Sequence, residues 1–341
     1  MIPPEKSAAV FRGLREAFGA TGIEDIRRMT KGLSSDLIFR IVVQGSPFLL
    51  RIMTRIDERN DPTRLFTAMK AAAEAGLAPR VWHTDIEDGI SITDFVEAVP
   101  FSTTEAMVLI PGALQRLHAL PPFPKAFNYV TMHNGFIWRF RIANLLPKNE
   151  TEEVFRKYAQ VSAVYPRVDS DMVSCHDDLK PENVLFDGRR VWLVGWQAAF
   201  VNDRYFDLAI VANFVVSNDA EERIYLQEYF GQPPDEYQLA RFFIMRQVMH
   251  MLYAAVFLLL GSSGKPVDQS EKAPEFRYFH QRIWEGEVNL ADNDMKTIYG
   301  RVHWEQLLLN VRRARFDEAL RIVSDRHTFP DSMRRLLPTA P

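Results

Sequence analysis

Val173-Ser-Cys-His-Asp-Asp-Leu-Lys-Pro-Glu-Asn-Val-Leu-Phe-Asp187 places His176, Asp178 and Asn183 at His-x-Asp-x-x-x-x-Asn spacing. Phosphoryl transfer to a hydroxyl needs a group that takes the hydroxyl proton, cations across the phosphates, and contacts that hold the transferred group in line. A loop carrying a carboxylate and, five residues on, an amide can meet the first need and part of the second. Asp178 is therefore the expected base, His176 its companion bracing the loop, and Asn183 a metal ligand. The strand that follows ends Trp192-Leu-Val-Gly195-Trp196, where this grammar asks for a second, magnesium-binding aspartate. Gly195 reads as a degenerate metal position.

Around this loop, Val184-Leu-Phe186, an Asp187-Gly188 turn and Val191-Trp-Leu-Val194 give a hairpin signal. Upstream, Leu37 to Val43, a Gln44-Gly45-Ser46-Pro47 turn and Phe48 to Met53 predict another hairpin. Strands near 80–84 and 89–93 are joined by an Ile86-Glu-Asp-Gly89 turn. Helices are predicted over 7–18, stopped by Gly19, and from Asp61-Pro62 to about Ala75, closed by Gly76. The pattern turns helical near residue 97. It then runs through Met107 to His118, a proline-rich loop from Leu120 to Pro124, Gln238 to Leu260, and one long amphipathic stretch from Trp304 to about Val323. The expectation is an α+β, bilobal plan with a nucleotide in the cleft. A small antiparallel β-rich lobe (1–96) covers the nucleotide, a connector runs near Asp94 to Ala98, and a larger helical lobe (97–341) carries catalysis and the acceptor.

The 341 residues are 47% hydrophobic and 25% charged with a net charge of −3. That balance fits a folded two-lobed chain and lacks the basic footprint of a nucleic-acid partner. The single cysteine, Cys175, forms no internal disulfide and reads as a buried, inert thiol. The opening Met-Ile-Pro-Pro-Glu-Lys has no basic segment followed by an apolar core, so the expected location is cytoplasmic. Leu252 to Leu260 is about half the roughly 20 residues needed to cross a bilayer. It reads as a core helix, with no membrane partner expected.

The segment from His176 to Gly188, a strand, a tryptophan, and Asp203-Arg-Tyr-Phe-Asp-Leu-Ala209 together closely resemble the aminoglycoside phosphotransferase and choline kinase family, whose fold is protein-kinase-like. Lys31-Gly-Leu-Ser-Ser-Asp-Leu-Ile-Phe-Arg40 looks like that family's nucleotide-covering loop, Leu49-Leu-Arg51-Ile its third strand, and Ala72-Ala-Glu-Ala-Gly-Leu-Ala-Pro79 the end of its lobe-bridging helix. Leu117-His-Ala-Leu-Pro121 reads like its helix after the connector. The resemblance implies ATP or GTP as co-substrate with Mg2+, and a small-molecule hydroxyl as acceptor. It makes Asp178 the base, Asn183 a metal ligand and Asp207 a structural acid fastening the catalytic loop. Arg51, Ser34 and Ser35 would meet the phosphates, with Asp94, Phe95 and Val96 along the nucleotide's edge.

Three departures qualify this picture. Arg51 stands where many kinases have lysine, keeping a permanent charge and a fork suited to phosphate. The following helix, Asp61 to Met69, offers no glutamate to pair with it. Gly195 removes a carboxylate ligand, a loss of several kcal/mol of transition-state stabilisation by order of magnitude. Asp177, Asp187 and Asp203 are the acids near enough in sequence to replace it, with Asp187 in a turn facing away. Two functional readings result: a slow small-molecule phosphotransferase, or an impaired pseudokinase that binds a nucleotide or small ligand. The acceptor class stays open, because Trp284, Glu285, Glu287, Tyr299 and Trp304 mix aromatic-cage and acidic features and also suit plain helix packing.

Overall fold

The chain, seen here as a computed structural model, is described over residues 2–29, 36–58, 60–124, 129–166 and 169–326. It opens with helix α1 (Pro4–Phe18), which has a proline in its first turn and ends on Gly19 at φ 65°, the left-handed stop the sequence predicts. Five antiparallel strands follow: β1 (Asp25–Met29), β2 (Leu37–Val43), β3 (Ser46–Ile52) and, after helix α2 (Pro62–Glu74), β4 (Val81–Asp85) and β5 (Ile90–Asp94). Their order in the sheet is β1-β2-β3-β5-β4. Alternation sends Phe39, Ile41, Leu50, Ile90 and Ile92 to one face, where Val10 and Leu14 of α1 cover them. The opposite face carries the cross-strand row Ile38, Arg51 and Ser91. Arg51 is thereby directed away from the apolar layer.

Two expected features of this lobe differ in the structure. The turn between β2 and β3 uses only Gln44 and Gly45, at φ 51° and 72°. Two residues with positive φ match the strands' twist, so Ser46 and Pro47 join β3 instead of lengthening the loop. Strand β1 was not expected, since Asp25-Ile-Arg-Arg-Met29 is exposed at every position and shows no apolar alternation.

Helix α2 is capped by Asp61, whose carboxylate accepts the Thr63 N–H at 2.8 Å. Its buried face (Leu65, Phe66, Ala68, Met69, Ala72) joins the core of the helical lobe. There follow α3 (Thr103–His118), with a Ser102–Glu105 capping box, α4 (Tyr129–Ala143) and α5 (Lys148–Val164). Next come β6 (Met172–Cys175), β7 (Val184–Phe186), β8 (Val191–Leu193) and β9 (Phe200–Asp203). They pair as β6 with β9 and β7 with β8. The chain continues through α6 (Arg204–Val215), α7 (Asp219–Phe230), α8 (Glu236–Gly261), α9 (Phe276–Trp284), α10 (Asn293–Val311) and α11 (Ala314–Arg326). The stretch read as one helix from Trp304 to Val323 is thus two, α10 and α11. Leu307, Val311, Phe316, Ala319 and Val323 enter a single core, which hides the break in the apolar pattern.

Among the described residues, α8 is the one helix long and apolar enough to cross a membrane, yet its apolar window is 67% buried inside the protein. Gly300 of α10 lets the two longest helices touch. A Cβ there would lie 2.7 Å from Leu258 Cγ and 2.9 Å from the Leu258 nitrogen.

Candidate active site

The loop between β6 and β7 holds the sequence-predicted residues and is tied down from below. Asp207, in the first turn of α6 and fully buried, accepts the backbone N–H of His176 through Oδ2 and that of Asp177 through Oδ1, both at 2.8 Å. His118 adds a third contact to Asp207 through Nε2 at 3.2 Å, while its Nδ1 meets the Tyr229 hydroxyl at 2.7 Å. Burial would raise the Asp207 carboxyl, but the His118 hydrogen bond, nearby histidines and the loop's N–H groups hold it below the usual carboxylate range. His118, Cys175 and Asp207 lie close together, yet Asp207 is occupied by the loop, and burial pushes the Cys175 thiol well up.

His176 is fully buried against Trp196. Its Nε2 donates to the Val194 carbonyl at 2.8 Å, and its Nδ1 accepts the Asp178 N–H at 3.3 Å. Burial lowers its pKa, so the ring is neutral with both nitrogens engaged. It positions the loop and has no nitrogen left for proton transfer.

Asp178 is the loop's outward acid, its side chain 35% exposed. Its Oδ2 meets Lys180 Nζ at 2.9 Å and accepts from Asn183 Nδ2 at 2.9 Å. The same Nδ2 donates to the Asp178 carbonyl at 2.6 Å. Lys180 is a candidate site residue that the sequence pattern did not single out, although its place two residues after the acid in the same loop is a usable signal.

The Asn183 amide lies in the space that a side chain at Gly195 would need. A Cβ at Gly195 would lie 2.6 Å from Asn183 Cγ and 2.9 Å from Nδ2, and Gly195 itself sits at φ 83°. Among the acids that could replace the missing ligand, Asp187 is taken up by the N–H groups of Arg189, Arg190 and the Trp192 indole, which hold its carboxyl down at about 2. Asp203 caps α6 through the Tyr205 N–H and pairs with Arg241. Asp177, at φ 62°, accepts from Asn202 Nδ2 at 2.6 Å through Oδ1, while its buried Oδ2 has no partner. Burial and the adjacent Asp207 charge push the Asp177 carboxyl well up. The donors beside Gly195 are one neutral amide and the already paired Asp178 carboxylate. No acidic cluster of three closes around them among the described residues. This set does not fit a magnesium ion held by the protein.

Of the residues expected to meet the nucleotide, Arg51 is largely buried and lies 3.8 Å from Asp36. Burial lowers its pKa, with Asp36 opposing. Asp36 lies just before β2, a pairing that no sequence signal indicated. The face of α2 that meets the segment after Gly195 carries Arg64, whose Nη2 donates to the Gln197 carbonyl at 3.4 Å. Asp94 turns its carboxylate toward the Trp82 indole at 2.6 Å. Phe95 lies under the Arg40 guanidinium and Val96 is half-buried. Ser34 and Ser35 fall outside the described residues.

A pocket of about 300 Å³ is lined by Asp177, Asp178, Lys180 and Glu182. Phe206, Phe214, Tyr253, Phe257 and Tyr299 line its interior. Of the aromatic and acidic residues picked out in the C-terminal region, Tyr299 alone reaches this pocket. Trp284 donates instead to the Phe101 carbonyl, Trp304 is core, Glu285 is exposed, and Glu287 pairs with Arg282.

A model of the phosphotransferase enzyme family matches residues 25–243. Protein LicA of Haemophilus influenzae is 24% identical over 214 residues, covering 59% of this chain and 61% of that protein, so the match spans less than two thirds of that relative. A choline/ethanolamine kinase family protein from Mesorhizobium loti has the same fold, with a TM-score of 0.65 at 22% identity over 93% of this chain and 99% of that one. Choline kinase LicA from Streptococcus pneumoniae superimposes with a TM-score of 0.56 at 17% identity, over 84% and 99% of the two chains. The family match begins at the first strand of the small lobe, passes through the loop fastened by Asp207 and ends within α8, more than half of the sequence. The chain therefore belongs to the phosphotransferase enzyme family, with a bilobal α+β, protein-kinase-like fold.

Proposed function

We propose that this protein transfers the γ-phosphoryl group of ATP or GTP to the hydroxyl of a small amino alcohol, and does so slowly. The observation that carries this reading is that Asp178 and Lys180 line the same pocket as a set of aromatic side chains. An acceptor hydroxyl there can pass its proton to Asp178 Oδ1, the carboxylate oxygen not held by Lys180 and Asn183, as its oxygen bonds to the γ-phosphorus. The bond from that phosphorus to the β,γ-bridging oxygen breaks and the nucleoside diphosphate leaves. Lys180, 2.9 Å from the base, places a positive charge where the transferred group gathers negative charge. Magnesium brought in with the nucleotide would neutralise its phosphates, and Gly195 withdraws the carboxylate that would hold such an ion.

Aromatic walls beside the Asp178 and Glu182 carboxylates suit an acceptor with an apolar body and a single cationic centre. An aminoglycoside would leave many polar groups unpaired in such a pocket. Structural relatives described as choline kinases support the same class. A second reading, nucleotide binding without turnover, is favoured by the Asn183 amide lying in the space of the absent ligand. The test is phosphoryl transfer from ATP to a panel of amino alcohols and aminoglycosides. Slow transfer preferring amino alcohols is expected. Nucleotide binding with no transfer to any acceptor would establish the second reading, and preference for aminoglycosides would overturn the acceptor class.

A further inference from the structure

A second concavity, about 550 Å³, shares no residue with the Asp178 pocket. Both lobes build it: Lys70 from α2, Arg80 and Trp82 at the start of β4, and Arg190 and Trp192 from the β7–β8 hairpin. The Arg80 guanidinium lies 3.8 Å from the centre of the Trp82 ring, and that of Arg190 lies 3.6 Å from the centre of the Trp192 ring. Each indole is pinned in turn, Trp82 Nε1 donating to Asp94 at 2.6 Å and Trp192 Nε1 to Asp187 at 2.8 Å. A guanidinium held flat on a fixed ring keeps its N–H edge free and pre-oriented for the oxygens of an anion.

Among the described residues no acceptor hydrogen-bonds these side chains, and Arg190 acts only at longer range on the Asp187 carboxyl, helping to hold it down. Lys70, Arg80 and Arg190 have no side-chain hydrogen bond or ion pair with any described residue. Of the two acids in the cavity, Asp94 is committed to Trp82, and Glu74 is exposed on the α2 surface one turn beyond Lys70. His83, also in the lining, already faces Glu16 at 3.2 Å. Three cations thus face one uncommitted carboxylate, in a space within the range of small-ligand pockets.

We infer that this groove is a second binding site, for a phosphate-bearing small metabolite whose anionic group lies between Arg80 of the small lobe and Arg190 of the helical lobe. A ligand in that position ties α2 and β4 to the β7–β8 hairpin and so limits movement of one lobe against the other.

Inorganic pyrophosphate is the probe, titrated calorimetrically into the full chain, into the Arg80→Gln/Arg190→Gln double variant, and into Arg51→Gln as a cleft control. Both groove arginines are exposed, so the double variant should melt with the wild type. Its pyrophosphate affinity should fall about tenfold or more, while Arg51→Gln retains the groove's binding. Added salt should weaken binding to the wild type and have a smaller effect on the double variant. The inference is overturned if pyrophosphate shows no saturable binding at millimolar concentration, or if the double variant binds as the wild type does. Loss of all binding in Arg51→Gln alone would overturn it too, and citrate binding as tightly as pyrophosphate would overturn the phosphate assignment.

Discussion

Gly195 and Asn183 share one small volume. The glycine backbone is left-handed at φ 83°, and the Asn183 amide fills the side-chain space while donating to Asp178. Gly195→Asp must therefore displace Asn183 as well as supply a carboxylate. Aspartate in the left-handed region is disfavoured by about 1 kcal/mol, and releasing Asn183 from Asp178 adds to that. The expected outcome is a lower melting temperature together with turnover raised by about tenfold or more, since one added ligand need remove only about 1.4 kcal/mol from the barrier. Melting curves and ATP turnover on the same preparations check it. A variant that melts lower and turns over no faster would show that the missing acid is not what limits the site.

At the scale of elements, two glycines in helices should respond with opposite sign. Gly300→Ala pushes a methyl into Leu258 where α10 crosses α8, and overpacking of this kind is destabilising by about 1–3 kcal/mol. Gly112, inside α3, has nothing within 4 Å of an added Cβ, so Gly112→Ala should stabilise by about 0.5–1 kcal/mol. Urea unfolding of both variants tests the pair, and a Gly300→Ala midpoint at or above wild type would contradict the close approach. Elements whose pattern is local were legible in the sequence. The β2–β3 hairpin shows apolar alternation, and α1 carries its own stop. Strand β1 was not legible because it is an exposed edge, and the α10–α11 break was masked by a continuous apolar face. The site divides in the same way. Asp178 and Asn183 are neighbours on one loop, whereas the Arg51–Asp36 pair, the Arg64 face of α2 and the aromatic pocket join segments whose approach only the folded chain sets.

Across the whole molecule, the helical lobe buries, besides His176, four further histidines without charge. Burial lowers His133 to about 4 and His303 to about 3, and it pushes His250 and His280 well down, helped by His303 and by Arg246 and Arg277 nearby. The Nε2 atoms of His250, His280 and His303 have no hydrogen-bond partner among the described residues. Once unfolded, these rings take up protons near pH 6.5, which the folded protein resists. The unfolded state therefore binds more protons below that pH, and stability should fall as pH drops from about 6.5 toward 4, by up to about 1.4 kcal/mol per pH unit for each histidine. Above pH 7 these groups contribute no slope. Melting temperatures across that range check this, and a flat profile between pH 7 and 5 would contradict it. The proposed transfer rests on Asp178 acting within this fold. Its most direct test is phosphoryl transfer from ATP to choline or ethanolamine, measured for the wild type and for Asp178→Asn. Slow wild-type transfer that drops by about a hundredfold or more in Asp178→Asn is predicted, whereas equal rates in the two proteins would contradict it.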